Sequence, residues 1–425
     1  MKHFIIYEHQ KLRIGDKYKE WTFEDKDRQA LETFYGTEGV PYFKLIHRGV
    51  RFIQYVGVLQ IGNLRIEVLP KADRSSEENK WRDLLIGMLK AVGTFNIQAP
   101  SYSALQTKQN FILDLYISLF IQEVESLLHK GLVKKYYQIE KNSLALKGSL
   151  LFGKHLQKNV VHQERFYVRQ TTYNKAHLLH QILYKTILLL KQINLNQSLS
   201  SRIGSLCLHF PEMKPIKVTT ATFKKIVLNR KTAAYKNALE IARLLLLNYH
   251  PDLKGSSDNV LALMFDMNYL WEAFVYKSLL KHAPKDVQIT KQVHRNFWQS
   301  KAKKNTGMRP DIILTSSTQK AVLDTKWKTI GSHNPSIHNL RQLYVYHRYY
   351  SAQRVALVYP GEGDIQRGRY FKDLEQTNEL SCNECSVITI ETKDQIDDWQ
   401  QAIANQIYHN WLNTTESLSL TNTQK

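Results

Sequence analysis

Two short apolar runs in the last third of the chain, RPDIILTS and KAVLDTKWK, follow one another across the turn residues Ser316 to Gln319. Each reads as a strand, and each carries charge where a buried strand is ordinarily apolar. Asp311 follows Pro310 in the first run, and Asp324 and Lys326 stand in the second, with Asp324 thirteen residues after Asp311. A charge placed inside an apolar element is costly unless it is paired or coordinated. Two strands joined by so short a turn form an antiparallel hairpin. Residues two apart on a strand share a face, so Asp324 and Lys326 lie together, and pairing can bring Asp311 to them.

Two carboxylates and an ammonium on one face suit phosphodiester hydrolysis. Carboxylate oxygens hold Mg²⁺ (or Mn²⁺), a hard ion that keeps several waters. Such an ion lowers the pKa of a bound water and neutralises charge developing on the phosphorus, and a nearby lysine stabilises the same charge. The bland alternative is an ordinary surface ion pair on a strand. Around the two runs lie Lys291, Arg295, Lys301, Lys303, Lys304, Arg309 and Lys328, interleaved with His294, Phe297, Trp298 and Trp327. The mixture fits phosphate contacts and base stacking, although each cation taken singly is more often a solvated charge. The whole chain leans the same way: 59 Lys and Arg against 38 Asp and Glu give a net charge of +21 over 425 residues. An excess of that size attracts polyanions, of which nucleic acid is the commonest soluble one.

Upstream, residues 1 to about 75 read as a small β-rich unit. FKLIHRG, FIQYVGVLQIG and NLRIEVLPK are strand-like, with Gly62-Asn63 as a hairpin turn. A helical middle region follows over about 80–250, with apolar helical spacing from Trp81 to Ile139 (Gly131 as a C-cap), Tyr173 to Ile193 and Lys231 to Tyr249. PDLKGSSDN reads as a linker. Residues 260–412 then run helix (Met264 to Leu280), strand (VQITKQVH), the hairpin, helix (Ile337 to Tyr350) and a buried-type strand, RVALVYP. Residues 413–425 form a polar tail. The expected fold is therefore α+β or α/β and multidomain, with a mixed N-terminal domain, a helical middle and a C-terminal α/β core. No run of about 20 uncharged apolar residues or signal-peptide pattern is present, so neither membrane nor export is expected. Three cysteines make a disulfide framework improbable and point to the cytoplasm. The one CxxC, Cys382 and Cys385, has no second half for a zinc site. No GxxxxGK[ST] loop occurs, so no nucleotide is expected on this chain.

Several segments resemble the McrC nuclease subunit of modified-cytosine restriction systems, a PD-(D/E)xK protein partnered by a GTP-hydrolysing AAA+ subunit. FDMNYLWEAFV resembles the helix before that family's core, RPDIIL and LDTKWK its active-site strands, and NLRQLYVY the helix after it, with Gln342 and Tyr346 in Q-x-x-x-Y spacing. YVGVLQIGNLRIEVLPK resembles its N-terminal hairpin, and LVKKYY, ALKGSLLFGKHL and FKKIVLNRKTAAYKNALEIARLLL its middle region. No match is evident from about Gly361 onward. The resemblance implies a restriction-endonuclease-like C-terminal domain, with Asp311 and Asp324 as metal ligands, Glu272 as a further carboxylate at the metal and Lys326 as the catalytic lysine. Gln342 and Tyr346 would stand on the nucleic-acid side. The N-terminal region, residues 1–250, would bind the AAA+ ring and stimulate its GTP hydrolysis, with Glu67 and Lys71 shaping that region or touching the partner. Two alternatives remain open: a stand-alone repair or recombination nuclease, and a catalytically inert basic adaptor of an AAA+ ring.

Overall fold

The Gly62-Asn63 turn forms as the sequence predicts. Tyr55–Ile61 and Leu64–Leu69 pair antiparallel around it, with Gly62 at a φ of +50°. In this computed structural model, which describes residues 2–71, 78–93, 112–194, 196–250, 259–301, 305–317, 319–328, 335–372 and 379–413, the expected linker residues 251–258 and the polar tail from 414 lie outside the described residues. The chain divides into two compact units: Met1–Asn96 together with Met264–Lys425, and Ile97–Leu263. The sequence grouped the β-rich start with the helical middle. The structure groups it with the C-terminal α/β region instead.

The reason lies in what the N-terminal strands must bury. Lys2–Tyr7 adds parallel to Leu64–Leu69, and every residue of the latter is buried, including Arg65 and Glu67. A strand buried on both faces needs cover on both. Helix Glu78–Val92 packs on it and, in turn, against helix Met267–Lys281 of the C-terminal part. Glu67 accepts two hydrogen bonds from the Arg82 guanidinium, at 3.1 and 2.9 Å, which neutralises a fully buried carboxylate.

The C-terminal part carries a six-stranded mixed sheet in the order Gln288–Lys291, Ile312–Thr315, Lys320–Thr325, Arg354–Gly361, Leu380–Glu391, Ile365–Phe371. The expected hairpin is present: Ile312–Thr315 and Lys320–Thr325 pair antiparallel, with Ile312 opposite Leu323. Lys320–Thr325 then pairs parallel with Arg354–Gly361. Helix Ile337–Tyr350 buries Leu343, Tyr346 and Tyr350 against Val322, Val355, Leu357 and Tyr359. Two features went unread in the sequence: the exposed hairpin Arg295–Gln299 with Asn305–Met308, and the strands Ile365–Phe371 and Leu380–Glu391 with helix Ile396–Ala404.

The second unit is a bundle of helices Ile112–Lys130, Leu178–Ile193, Gln197–His209 and Lys236–Leu247. Gly131, at a φ of +82°, ends the first, as expected. Helical spacing was read on to Ile139, but Lys135–Ser143 is a strand: KYYQIE alternates in burial with a period of two. It pairs antiparallel with Phe166–Asn174, which also pairs with Ser149–Leu150, and a short helix, Phe152–Asn159, packs on this ribbon. The ribbon leaves large apolar side chains in solvent, among them Tyr136 (73% exposed), Leu146, Phe152, Leu156 and Val161 (87%). Both of its legs are tied to the bundle. The Val133 carbonyl meets His177 Nε2 at 2.8 Å and the Lys175 carbonyl meets His180 Nδ1 at 2.6 Å. Tyr235 Oη accepts from the Val133 N–H and meets His180 Nε2, both at 2.9 Å.

Candidate active site

Asp324 sits near the end of the Lys320–Thr325 strand, only 2% exposed. It shares its sheet face with Val322, which lies under helix Ile337–Tyr350, so that helix can reach it. Gln342 does: its Nε2 donates to Asp324 Oδ1 at 3.2 Å and to Tyr346 Oη at 2.8 Å. One step beyond the paired residues Ile312 and Leu323, the hairpin sets Asp311 across from Asp324. Thr325 holds Asp311 in place, its N–H and its hydroxyl both donating to Asp311 Oδ2, at 2.7 and 2.8 Å. Lys326 follows directly, with its backbone N–H on the Val358 carbonyl at 2.9 Å and its ammonium 2.6 Å from Asp324 Oδ2. The structure thus brings Asp311, Asp324 and Lys326 together.

The electrostatics match this crowding. Burial pushes the Asp324 carboxyl up to about 6, and the neighbouring Asp311 adds to the rise, while Lys326 opposes it. Burial also raises Glu272, on helix Met267–Lys281, and Asp311 again adds to the shift. Glu272 is occupied otherwise: it accepts a hydrogen bond from Gln292 Nε2 at 2.7 Å. Among the described residues no group of three or more His, Cys, Asp and Glu side chains is arranged to hold a metal ion. The fit for a divalent cation therefore rests on the aspartate pair. Asp324 Oδ2 is buried with an ion contact to Lys326 but no well-aligned hydrogen bond. Two mutually repelling carboxylates with such an oxygen form a hard-oxygen donor set that a cation would relieve, and Mg²⁺ needs only one or two protein carboxylates.

The surrounding cations divide. Lys291, Arg295, Lys301, Arg309 and Lys328 are exposed, whereas Lys303 and Lys304 lie outside the described residues. Lys291 stands over the Tyr276 ring at 5.0 Å, Lys328 over Tyr359 at 5.8 Å, and Arg295 over Tyr350 at 5.0 Å while also donating to the Tyr349 carbonyl. His294, Phe297 and Trp298 are exposed. Trp327 corrects the sequence reading: at 5% exposure it cannot stack on a base. Its ring packs on Trp271, and its indole N–H donates to Glu8 at 2.6 Å. Tyr346, read as facing nucleic acid, is buried in the core as well, and burial pushes its hydroxyl up to about 12. Sequence reasoning missed Thr325, Gln292 and Glu8. Thr325 was within reach, being the central residue of DTK at the end of a strand. The other two are set by tertiary contact alone.

The fold and this cluster define the class: a mixed α/β protein of several sheets, with an aspartate pair and a lysine at one sheet. No helix among the described residues is long and apolar enough to cross a membrane. The family model of the McrBC 5-methylcytosine restriction system component matches residues 50–360, and the chain belongs to that family. The matched span contains the segments from YVGVLQIG to NLRQLYVY that carried the resemblance, and the family reading of the sequence holds. The chain is also similar to one in a refined half-complex from a tetradecameric assembly of Thermococcus gammatolerans McrB AAA+ hexamers with bound McrC. There the TM-score is 0.72 at 19% identity, over 96% of this chain and 100% of that one. A chain of the cryo-EM structure of the Thermococcus gammatolerans McrBC complex gives a TM-score of 0.53 at 20% identity, over 67% and 89%. At such identities the likeness is one of fold. No curated protein matches.

Proposed function

We propose that this chain is the DNA endonuclease subunit of a restriction complex, a PD-(D/E)xK enzyme that cuts when an AAA+ GTPase ring engages it. The observation that carries the reading is the buried Asp324 carboxylate, 2.6 Å from the Lys326 ammonium and across the hairpin from Asp311. Asp311 and Asp324 would hold Mg²⁺, which when bound supplies Lewis acidity and an activated water. Thr325 and Gln342 fix the two carboxylates from either side. Lys326 places a positive charge where charge develops on the scissile phosphate. Glu272 is assigned the outer edge of the site, where it repels Asp311 and is restrained by Gln292. The exposed hairpin with Arg295, Phe297 and Trp298 offers a DNA strand both charge and stacking surface.

The ring is assigned to the region before residue 250. In solved complexes with this fold, McrC is bound to McrB AAA+ hexamers. Within that region the ribbon exposing Tyr136, Leu156 and Val161 has the apolar surface such a contact needs. A plasmid-cleavage assay of the full chain with its co-purified AAA+ subunit tests the function. Cleavage is expected with Mg²⁺ or Mn²⁺, binding without cleavage with Ca²⁺, and none in excess EDTA. Cutting that persists in EDTA overturns the metal reading.

A further inference from the structure

Glu8, at the end of the N-terminal strand Lys2–Tyr7, is a buried carboxylate with no part in the chemistry above. Its Oε1 accepts the backbone N–H of Lys71 at 2.9 Å and the indole N–H of Trp327 at 2.6 Å. Oε2 has no hydrogen-bond partner among the described residues. Trp327 directly follows Lys326. Its ring lies 5.5 Å from that of Trp271, whose own indole N–H donates to the Val358 carbonyl, the same carbonyl that receives the Lys326 N–H. Trp271 in turn directly precedes Glu272. Two packed indoles therefore back the site, each one residue from a side chain of the cluster, and Glu8 supplies the hydrogen-bond acceptor that fixes one of them.

We infer that Glu8 is a positioning residue for cleavage: by holding Trp327 it fixes the chain on which Lys326 meets Asp324. The inference rests on the nuclease reading. Catalytic groups displaced by about 1 Å can lose on the order of 100-fold in rate, and Lys326 lies past the last paired residue of its strand. Burial pushes the Glu8 carboxyl up to about 7, with the Asp266 carboxylate adding to it and the two donors opposing. A glutamine carbonyl oxygen can accept the same two hydrogen bonds, so Glu8→Gln should keep the bond that Glu8→Leu removes.

The test measures plasmid cleavage by the full chain with its AAA+ subunit, and the ¹⁹F resonance of Trp327 in 5-fluorotryptophan-labelled protein, assigned through Trp327→Phe. Glu8→Leu should lower kcat by roughly 10- to 100-fold with KM little changed, and shift the Trp327 resonance. Glu8→Gln should restore both. Trp327→Phe, which keeps an aromatic ring of smaller volume and removes the donor, covers the case in which Glu8→Leu fails to fold. It should show the same kcat loss, and the double variant should be no worse than either single one. Wild-type kcat in folded Glu8→Leu or in Trp327→Phe overturns the inference, as does an unmoved resonance in Glu8→Leu. If wild type makes no cuts that Asp324→Ala abolishes, the nuclease reading itself fails, and the positioning role falls with it. If wild type cuts and only the Glu8 variants behave as wild type, the nuclease reading stands and Glu8 alone is wrong.

Discussion

The sheet that carries Asp324 and the ribbon that carries Tyr136 break the burial rule in opposite directions. In the sheet, charge is put where apolar atoms belong: Asp324 is 2% exposed among Val322, Leu323 and Leu357. In the ribbon, apolar side chains stand where charge belongs, with Tyr136 and Val161 more than two-thirds exposed. Each departure costs stability, so each marks a place where folding is not the only demand on the sequence. Buried charge has a use when it acts on a ligand's charge at low dielectric, and exposed apolar surface when another surface covers it. On the proposed function, one region is organised for chemistry and the other for contact.

The sharpest way to separate the two is to remove the charge. Asp311→Ala, Asp324→Ala and Lys326→Ala should each lower plasmid cleavage by about 10²–10³, with circular dichroism unchanged. Near-wild-type cutting by Asp324→Ala would erase the contrast. The footing of the ribbon supplies a buried titratable group, His180, bonded to the Lys175 carbonyl and the Tyr235 hydroxyl. Burial, with His177 adding, lowers His180 to about 4, so it stays neutral in the fold. A depressed value means that its stabilisation is present above the ordinary 6.5 and is lost as pH falls through 4. Thermal unfolding from pH 7 to 4 should lose up to about 3 kcal/mol through this group, and His180→Gln should flatten that slope. The ribbon itself is probed by Tyr136→Ser, Leu156→Ser and Val161→Ser together. Affinity for the AAA+ subunit should fall by about 2 kcal/mol while the unfolding midpoint stays put; a drop in midpoint instead would make the ribbon a packing element. The smallest expected effect is on salt dependence. Each of Lys291, Arg295 and Lys301 changed to Ala should reduce the log-log salt slope of duplex DNA binding by about 0.9, measured by fluorescence anisotropy.

What was legible in the sequence follows the same division. The hairpin of RPDIILTS and KAVLDTKWK was readable because strand alternation and a short turn are local, and they place Asp311, Asp324 and Lys326 without knowledge of the rest. Gly62 and Gly131 were readable as turn and cap for the same reason. Trp327 was misread because its flanking lysines suggest a wet surface, and only Trp271 and Glu8, remote in sequence, make it buried. The ribbon was missed because LVKKYYQIE continues directly from a helical run, and the exposed Tyr136 beside the half-buried Tyr137 blurs its alternation. The grouping of the first strands with the last third rests on the covering of Leu64–Leu69, which no local pattern encodes.

That grouping sets an order for synthesis. Domains tend to fold as they leave the ribosome, N-terminal first, yet Met1–Asn96 belongs to a unit whose remainder begins only at Met264. The strand Leu64–Leu69 and the Glu8 carboxylate must wait, with their apolar neighbours uncovered, until all of Ile97–Leu263 has been made. The middle unit, continuous in sequence, can finish first. A released fragment ending at residue 263 should therefore present a protease-resistant middle and a cleavable start.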